Sequence, residues 1–416
     1  RRRSGSGRVI VTIDRLGHLG HGIARALDSG PIYVPGTLPG EVVDGTPDGD
    51  RLLDPKIVTP SPDRVKPPCR HARACGGCQL QHASEGFVAA WKQQVVETAL
   101  AGRGLSASFR PLVTSPPRSR RRATLSARRT KSGALIGFHA RGSDTIAEIP
   151  DCQLLHPGIL AAFPGLQAMV MVGGSRTTEL SLQVTLTRGG PDVVVTGGKP
   201  LDSALRMDLA RLVETHGFSR LTWDGEAVAL RDRPALTMGS ATVLPPAGAF
   251  LQATSEGEAA LLAAVRLALG PQKRVVDLFS GVGTFTLPLA AEMEVHAVEG
   301  DVAMTRALDL AARTTPNLHR ITHETRDLFR RPLEPDELGF SGAVIDPPRA
   351  GAEAQTATLA RSKIPVIAAV SCNPVTFARD AKTLIAAGYR LDWVQVIDQF
   401  RWSTHVELVA RFSSAD

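Results

Sequence analysis

Apolar and polar positions alternate with a period of two from Arg8 to about residue 60, beginning with "RVIVTIDRLGHLGHGIARALDSGPIYVPGTLPGEVV". The glycines and prolines that interrupt the alternation leave too few residues between them for helices, so the stretch predicts a small β-barrel. The Pro-rich "TPSPDRVKPPC" reads as a linker. From Cys69 to about Pro245 the pattern is mixed: "FVAAWKQQVVETAL" has helical spacing, whereas "LSLQVTLTR" and "DVVVTG" read as strands. Beyond "LPPAGAF" helices and strands take turns, which predicts an α/β domain on a mainly parallel sheet. Three regions follow, 8–60, 61–245 and 246–416.

A length of 416 residues is too much for one ordinary core, and 43% hydrophobic residues is a globular composition. No apolar run approaches the roughly 20 residues a bilayer needs, and the opening "RRRSGSG" has no apolar segment behind it. We expect a cytoplasmic chain with no membrane partner, and a tail outside the fold at 1–7. The net charge is +7, with 40 Arg against 8 Lys. Planar guanidinium groups suit bidentate contacts to phosphates, although a genome biased towards arginine codons gives the same excess. The distribution separates the two readings, because "PRSRRRATLSARR" places Arg118, Arg120, Arg121, Arg122, Arg128 and Arg129 together without a local acid. The run is either a solvated face or a stripe that faces RNA or DNA.

The sharpest pattern in the last region is "RVVDLFSGVGTFTLPLAA". An apolar strand ends at Asp277, Gly281 and Gly283 bracket a tight turn, and "TFTLPLAA" starts a helix, so backbone can approach a ligand at the strand's carboxyl end. The next strand, "EVHAV", leads to Glu299, 22 residues after Asp277, where a carboxylate can bind the two hydroxyls of a ribose. A dinucleotide fingerprint needs a third glycine at 286, and the chain has Thr286. S-adenosylmethionine has no phosphate and carries a sulfonium cation, so a turn lined with acids suits it better than NAD.

"GAVIDPPRAG" puts Asp346 at the tip of a further strand, and "PVIAAVSCNP" puts Cys372 at the tip of the next. Ligands of open α/β sheets bind at these ends, so Cys372 is expected to face the cofactor crevice. A lone cysteine is ordinarily a small buried hydrophobe, but beside a methyl donor a thiol has a specific use. Carbon-5 of a pyrimidine is barely nucleophilic until a nucleophile adds to carbon-6. A thiol of ordinary pKa, about 8.5, needs a nearby positive charge for this, and Arg349 is the candidate. A base must then remove the carbon-5 hydrogen; "RWSTHVELVARF" offers Glu407, with His405 as the alternative. Phe400 and Trp402, near Glu407, are available to stack on nucleic-acid bases, although core packing is the ordinary use of such rings.

"DLFSGVGTF", "IDPPRAG", "SCNPVTFARD" and "THVELV", in that order, resemble the RNA 5-methyluridine methyltransferases, which act on uridine with S-adenosylmethionine. "AFLQAT" extends the match upstream, and the amino-terminal barrel looks like a TRAM RNA-binding domain, so the resemblance covers nearly the whole chain. It implies a Rossmann-like α/β catalytic domain, an OB-like barrel and a central α+β iron–sulfur domain. It also implies Cys372 as nucleophile and Glu407 as base, with Gln252, Phe279, Thr284, Glu299, Asp327 and Asp346 on cofactor-contacting positions. Thr284 stands where many relatives have Asn, and "QFRWSTHVE" departs from the usual Phe-Pro-x-Thr-x-His-Val-Glu pattern.

Cys69, Cys75 and Cys78 form C-x5-C-x2-C, and Cys152 in "IPDCQLLHP" offers a fourth ligand. Four thiolates suit tetrahedral zinc or a [4Fe–4S] cluster, and three clustered cysteines with a distant fourth are more typical of the cluster. The resemblance implies the cluster too, because ribosomal-RNA members of the family carry one on this pattern. Cys372 is then the thiol left for catalysis. The arginine run lies between the third and fourth ligands, so the cluster is expected to fold the central region and hold that strand against RNA. The sequence as a whole reads as a monomeric uridine C5-methyltransferase of 23S ribosomal RNA with no obligate protein partner. A tRNA T-loop uridine methyltransferase and a metal-stabilised RNA-binding protein without activity are the alternatives.

Overall fold

Alternation at the amino end closes on itself. In the computed structural model, strands Val9–Leu16, His21–Arg25, Pro31–Pro35, Val42–Asp48 and Arg51–Thr59 form a closed barrel, the first pairing with both the second and the fourth. Ile13, Ala24, Ile32, Val34, Val43 and Leu52 fill it, and closure removes the exposed edges that an open sheet would present, as in an OB-like domain. The structure describes residues 7–25 and 30–414; residues 1–6 of the expected tail lie outside the described residues. The linker is strapped down rather than loose. Arg64 grips the fully buried Glu41 of the barrel through Nε at 2.5 Å and Nη2 at 2.8 Å.

The middle of the chain forms a seven-stranded, mostly antiparallel sheet. Its order is Glu226–Leu230, Arg220–Trp223, Gly190–Thr196, Leu180–Thr187, Arg122–Arg129, Ala134–His139 and Ile146–Glu148, so both expected strands are present. On Arg122–Arg129 the period of two buries Ala123, Leu125 and Ala127. The arginine run is not a free stripe. Arg121 pairs with Glu258 at 2.5 Å and Arg128 with Glu179 at 3.2 Å, while Arg120 and Arg122 lie 5.9 and 5.4 Å over the rings of Phe400 and Phe250. Of the six, Arg118 alone is exposed. Arg120, Arg121 and Arg122 thus tie the sheet to segments beyond it, whereas Arg128 pairs beside the neighbouring strand of the same sheet.

The carboxyl-terminal sheet has eight strands in the order Ile321–Thr325, Glu294–Glu299, Arg274–Leu278, Gly342–Ile345, Val366–Ser371, Leu408–Ser414, Tyr389–Asp398 and Phe109–Thr114. The first five are parallel, and strands buried on both faces read as continuous apolar runs, as residues 366–370 do in the strand Val366–Ser371, which is buried at every position. Phe109–Thr114, from far upstream, completes the edge in parallel with Tyr389–Asp398. Among the described residues no helix is long and apolar enough to cross a membrane.

The helix Glu85–Ala101 starts where the Ser84 hydroxyl accepts the Phe87 N–H at 3.2 Å. Its inner face carries Val88, Trp91, Val96 and Leu100, and also Lys92, which has no solvent exposure. Lys92 Nζ lies 2.5 Å from Asp398 Oδ1 and 3.1 Å from the Phe400 carbonyl. Burial pushes the ammonium pKa down and Asp398 pushes it back. Removing one partner of such a pair leaves an uncompensated buried charge, so Lys92→Met should cost about 3–5 kcal/mol in urea unfolding. The double variant Lys92→Met/Asp398→Leu should recover much of that loss. A parental unfolding midpoint for the single variant would show that the pair contributes nothing.

Candidate active site

Strand register gathers the expected residues at one end of the sheet. Leu278 lies beside Val298 and Ile345, Ile345 beside Ala369, and Ser371 opposite Leu408. Phe279, Asp346 and Cys372 each follow the last residue of a strand, and Glu407 precedes the first residue of an antiparallel one. All four therefore emerge along the same carboxyl edge, with Cys372 and Glu407 on neighbouring strands.

On one side of this edge is the glycine turn, in which Gly281 and Gly283 take φ of 57° and 95°. Glu299 braces it: Oε2 accepts the Gly281 N–H at 2.8 Å and Oε1 the Asp301 N–H at 2.9 Å. A carboxylate has about four lone-pair sites, so two remain for ribose hydroxyls. The helix beyond the turn covers only Thr286–Leu289, shorter than the sequence suggests, because the next strand begins at Glu294 and the chain must turn back first. Thr286, in place of the third glycine, donates its hydroxyl to Asp277 Oδ2 at 2.6 Å. Asp277 is wholly buried, and burial raises its pKa to about 7.

Phe279 has φ of 65°, and its ring leans on Phe329 at 5.4 Å. Exposed Asp327 accepts the Phe329 N–H at 3.0 Å, Thr284 lies within the turn, and Gln252 is buried, with its Oε1 accepting from the Gln399 amide at 2.6 Å. Burial, then Glu407, then Asp277 hold Asp346 well above the ordinary carboxylate range.

On the other side stands Cys372, half-buried, directly before the helix Pro374–Ala386 whose N-cap is Asn373. Arg349 was the group expected to ionise this thiol. It does pull the pKa down, but burial, Glu407 and Asp346 outweigh it and raise the thiol to about 11. The resting thiol is therefore protonated, because burial disfavours the thiolate and the two carboxyls add to that push against one guanidinium. Burial raises Glu407 to about 7, against which a hydrogen bond from Gln399 at 2.7 Å works. A carboxyl with a pKa near neutrality is suited to proton transfer. His405, the other candidate base, opens to solvent on one side and is set against Phe400 on another, and partial loss of water around the ring, followed by Arg349, lowers its pKa. Trp402 is buried in the central core beside Cys75, Cys78 and Cys152, so packing is its use.

The tRNA (Uracil-5-)-methyltransferase family model matches residues 246–412. The 23S rRNA (uracil(1939)-C(5))-methyltransferase RlmD of Halomonas elongata is 33% identical, covering 98% of this chain and 90% of its own. The chain belongs to the RNA uracil-C5 methyltransferase family. Its reaction is methyl transfer from S-adenosylmethionine to carbon-5 of a uracil in RNA. An uncharacterized RNA methyltransferase of Brucella suis biovar 1 is 44% identical over 96% of both chains. The solved tRNA (uracil-54, C5)-methyltransferase of Pyrococcus abyssi, in complex with S-adenosyl-L-homocysteine, has the same fold, with a TM-score of 0.76 at 24% identity over 97% of this chain and 99% of its own.

Away from the family's reaction centre, Cys69, Cys75, Cys78 and Cys152 line one small cavity with His71 and Gln81. Gly77 and Leu154 donate backbone N–H groups to the sulfurs of Cys75 and Cys152 at 3.3 and 3.4 Å. Burial raises the Cys78 thiol to about 12, with the other three cysteines adding to the push. Among the described residues no group of three or more His, Cys, Asp or Glu is drawn together as a directly bound ion requires. Directly after Cys78, the N–H groups of Gln79 and Leu80 both donate to the Trp402 carbonyl at 2.9 Å, which joins the cysteine loop to the loop that ends at Glu407. Sequence reasoning missed this joint, as it missed Gln399 and Lys92.

Glu407 makes stability depend on pH. Its folded pKa of about 7 stands above the ordinary 4.5, so the folded chain keeps a proton that the unfolded chain releases. That contribution is full below about pH 4.5 and is lost as pH rises through about 7, by about 3 kcal/mol in all. Glu407→Gln removes it, so the variant should gain on the parent in urea unfolding across that window. Parallel pH curves for the two proteins would contradict the buried, raised carboxyl.

Proposed function

We propose that the enzyme methylates a uridine of 23S ribosomal RNA through a covalent adduct between Cys372 Sγ and carbon-6 of the base. The observation that supports it is the placement of Cys372 and Glu407 beside each other at adjoining strand ends, with Asp346 on the next. Cys372, its proton released to solvent water, adds to carbon-6 as the thiolate and pushes electron density onto carbon-5. Bound S-adenosylmethionine supplies the methyl group from its sulfonium. Glu407 then takes the carbon-5 proton, the ring double bond re-forms and Cys372 leaves as the thiolate. Gln252, Phe279, Thr284, Glu299, Asp327 and Asp346 hold the cofactor, Glu299 at the ribose. The preference for ribosomal over T-loop RNA is supported by the near full-length similarity to the Halomonas enzyme and by the four cysteines.

The four cysteines carry a [4Fe–4S] cluster in preference to zinc. Four buried thiols around one cavity, two of them already accepting backbone N–H groups, are a donor set that a multi-iron cluster would neutralise. Its work here is structural, holding the cysteine loop against Trp402. The barrel at 8–60 binds RNA, 61–245 carries the cluster and 246–416 the catalysis, in a cytoplasmic monomer.

Incubation with 5-fluorouridine RNA and S-adenosylmethionine should give an adduct that survives denaturation, and Cys372→Ser should form none and turn over no RNA. Turnover at the parental rate by that variant would end the covalent mechanism. Tritium from labelled cofactor should map to 23S fragments; label in tRNA alone would favour the T-loop reading.

Cys75→Ser should lose iron and sulfide. It should also speed hydrogen exchange at the Gln79 and Leu80 amides, which the Trp402 carbonyl otherwise protects. Unchanged exchange in an iron-free variant would remove the structural role.

A further inference from the structure

Gln399 is 1% exposed, and all of its amide is in use. Its Oε1 accepts the Ala253 backbone N–H at 2.8 Å, and because a backbone N–H can only donate, this contact fixes which way the amide faces. Both Nε2 hydrogens must then serve acceptors, and two are in place: Gln252 Oε1 at 2.6 Å and Glu407 Oε2 at 2.7 Å. Room for this side chain comes from Gly257 in the first turn of the helix Ser255–Leu269. A Cβ added there would stand 2.5 Å from Gln399 Cβ and 3.2 Å from its Oε1.

We propose that Gln399 is a positioning residue for methyl transfer, whose amide fixes the Glu407 carboxylate for removal of the carbon-5 proton and ties it to Gln252 on the cofactor side. This rests on the covalent reading with Glu407 as base. The physical consequence is specific. An N–H aimed at a carboxylate favours its charged form, so this contact holds back the upward push that burial exerts on Glu407. Without it Glu407 is protonated at neutral pH, the carbon-5 proton has no acceptor, and Cys372 remains bonded to carbon-6. The shared donor also makes the base and Gln252 move as one unit, since neither acceptor can shift without breaking a bond to the same nitrogen.

The test uses the full-length enzyme, ordinary uridine RNA and S-adenosylmethionine. Product release is followed against pH, together with the fraction of enzyme trapped on RNA after denaturation. For Gln399→Met the ascending limb of the pH profile should move up by about one to two units, as expected for loss of a hydrogen bond to a charged group. Adduct should accumulate near neutrality and turnover recover at alkaline pH. Gln399→Glu, of the same shape, should move the limb in the same direction because a second carboxyl disfavours the ionised base. Gly257→Ala, which displaces Gln399 without changing its chemistry, should do likewise and keeps the test open should a substitution at 399 fold poorly. A parental ascending limb with only a lower plateau, in a parent that traps 5-fluorouridine RNA, overturns the role of Gln399 alone. A parent that traps none overturns the covalent reading and this proposal with it.

Discussion

One buried ammonium decides where the loop that leads to Glu407 begins. Lys92 reaches from the helix Glu85–Ala101 into the end of the strand Tyr389–Asp398, where it neutralises Asp398 and takes the Phe400 carbonyl. A charge with no exposure is tolerated only when its partners are fixed, so the end of the strand cannot fray without stranding both ions. The next residues are held in sequence. Gln399 is bound on its amide, Arg401 ion-pairs with Glu85 and donates to the Ser115 carbonyl, and Trp402, at φ of 60°, has its carbonyl capped twice from the cysteine loop. The loop that delivers Glu407 is therefore shaped by groups that lie outside the carboxyl-terminal third of the chain.

The charge at the strand ends explains why this site accepts one class of cofactor. Asp277, Asp346 and Glu407 are all pushed above the ordinary carboxylate range, with burial the largest cause for each. A pyrophosphate brought near would push these groups further towards their neutral forms and gain nothing from them; elsewhere it is met by free backbone N–H groups at a helix start. Here the helix after the glycine turn is four residues long and fully buried. A sulfonium cation meets the opposite situation, because positive charge brought near these carboxyls favours their ionised forms. The thiol follows the same field. Burial first, and then the two carboxyls, hold its proton, and occupants that bring positive charge to the site would loosen that hold.

Much of the fold was legible because its signals are periodic. Alternation marked the barrel, and unbroken apolar runs ending in Asp, Cys or a glycine turn marked the parallel strands and, with them, the edge that holds Cys372. Three features were not legible. Phe109–Thr114 joins the catalytic sheet as an edge strand with mostly exposed residues, so nothing in its pattern announces a partner nearly three hundred positions away. Lys92 reads as a polar residue in an amphipathic helix, and only the tertiary pairing makes it a core residue. The partners of the arginine run were not legible either, since Glu258, Glu179, Phe250 and Phe400 lie well away from it in the sequence. The unusual "QFRWSTHVE" was visible as a departure, but the meaning of its glutamine depends on Ala253, Gln252 and Gly257, which only folding brings there.

The cysteines bear on the same loop. Residues 60–84 contain neither helix nor strand, only isolated bridges, and an irregular stretch of that length inside a compact fold needs an anchor. Arg64 anchors its start to the barrel, and Ser84 ends it by capping the helix that carries Lys92. Between these points Cys69, Cys75 and Cys78 stand around one cavity with Cys152, and the two N–H groups that grip Trp402 follow immediately. The irregular segment thus connects three constraints on the catalytic loop, and its own geometry has no secondary structure to sustain it. Fixing the four sulfurs would supply that missing rigidity, which is the physical reason for proposing a cluster at this cavity.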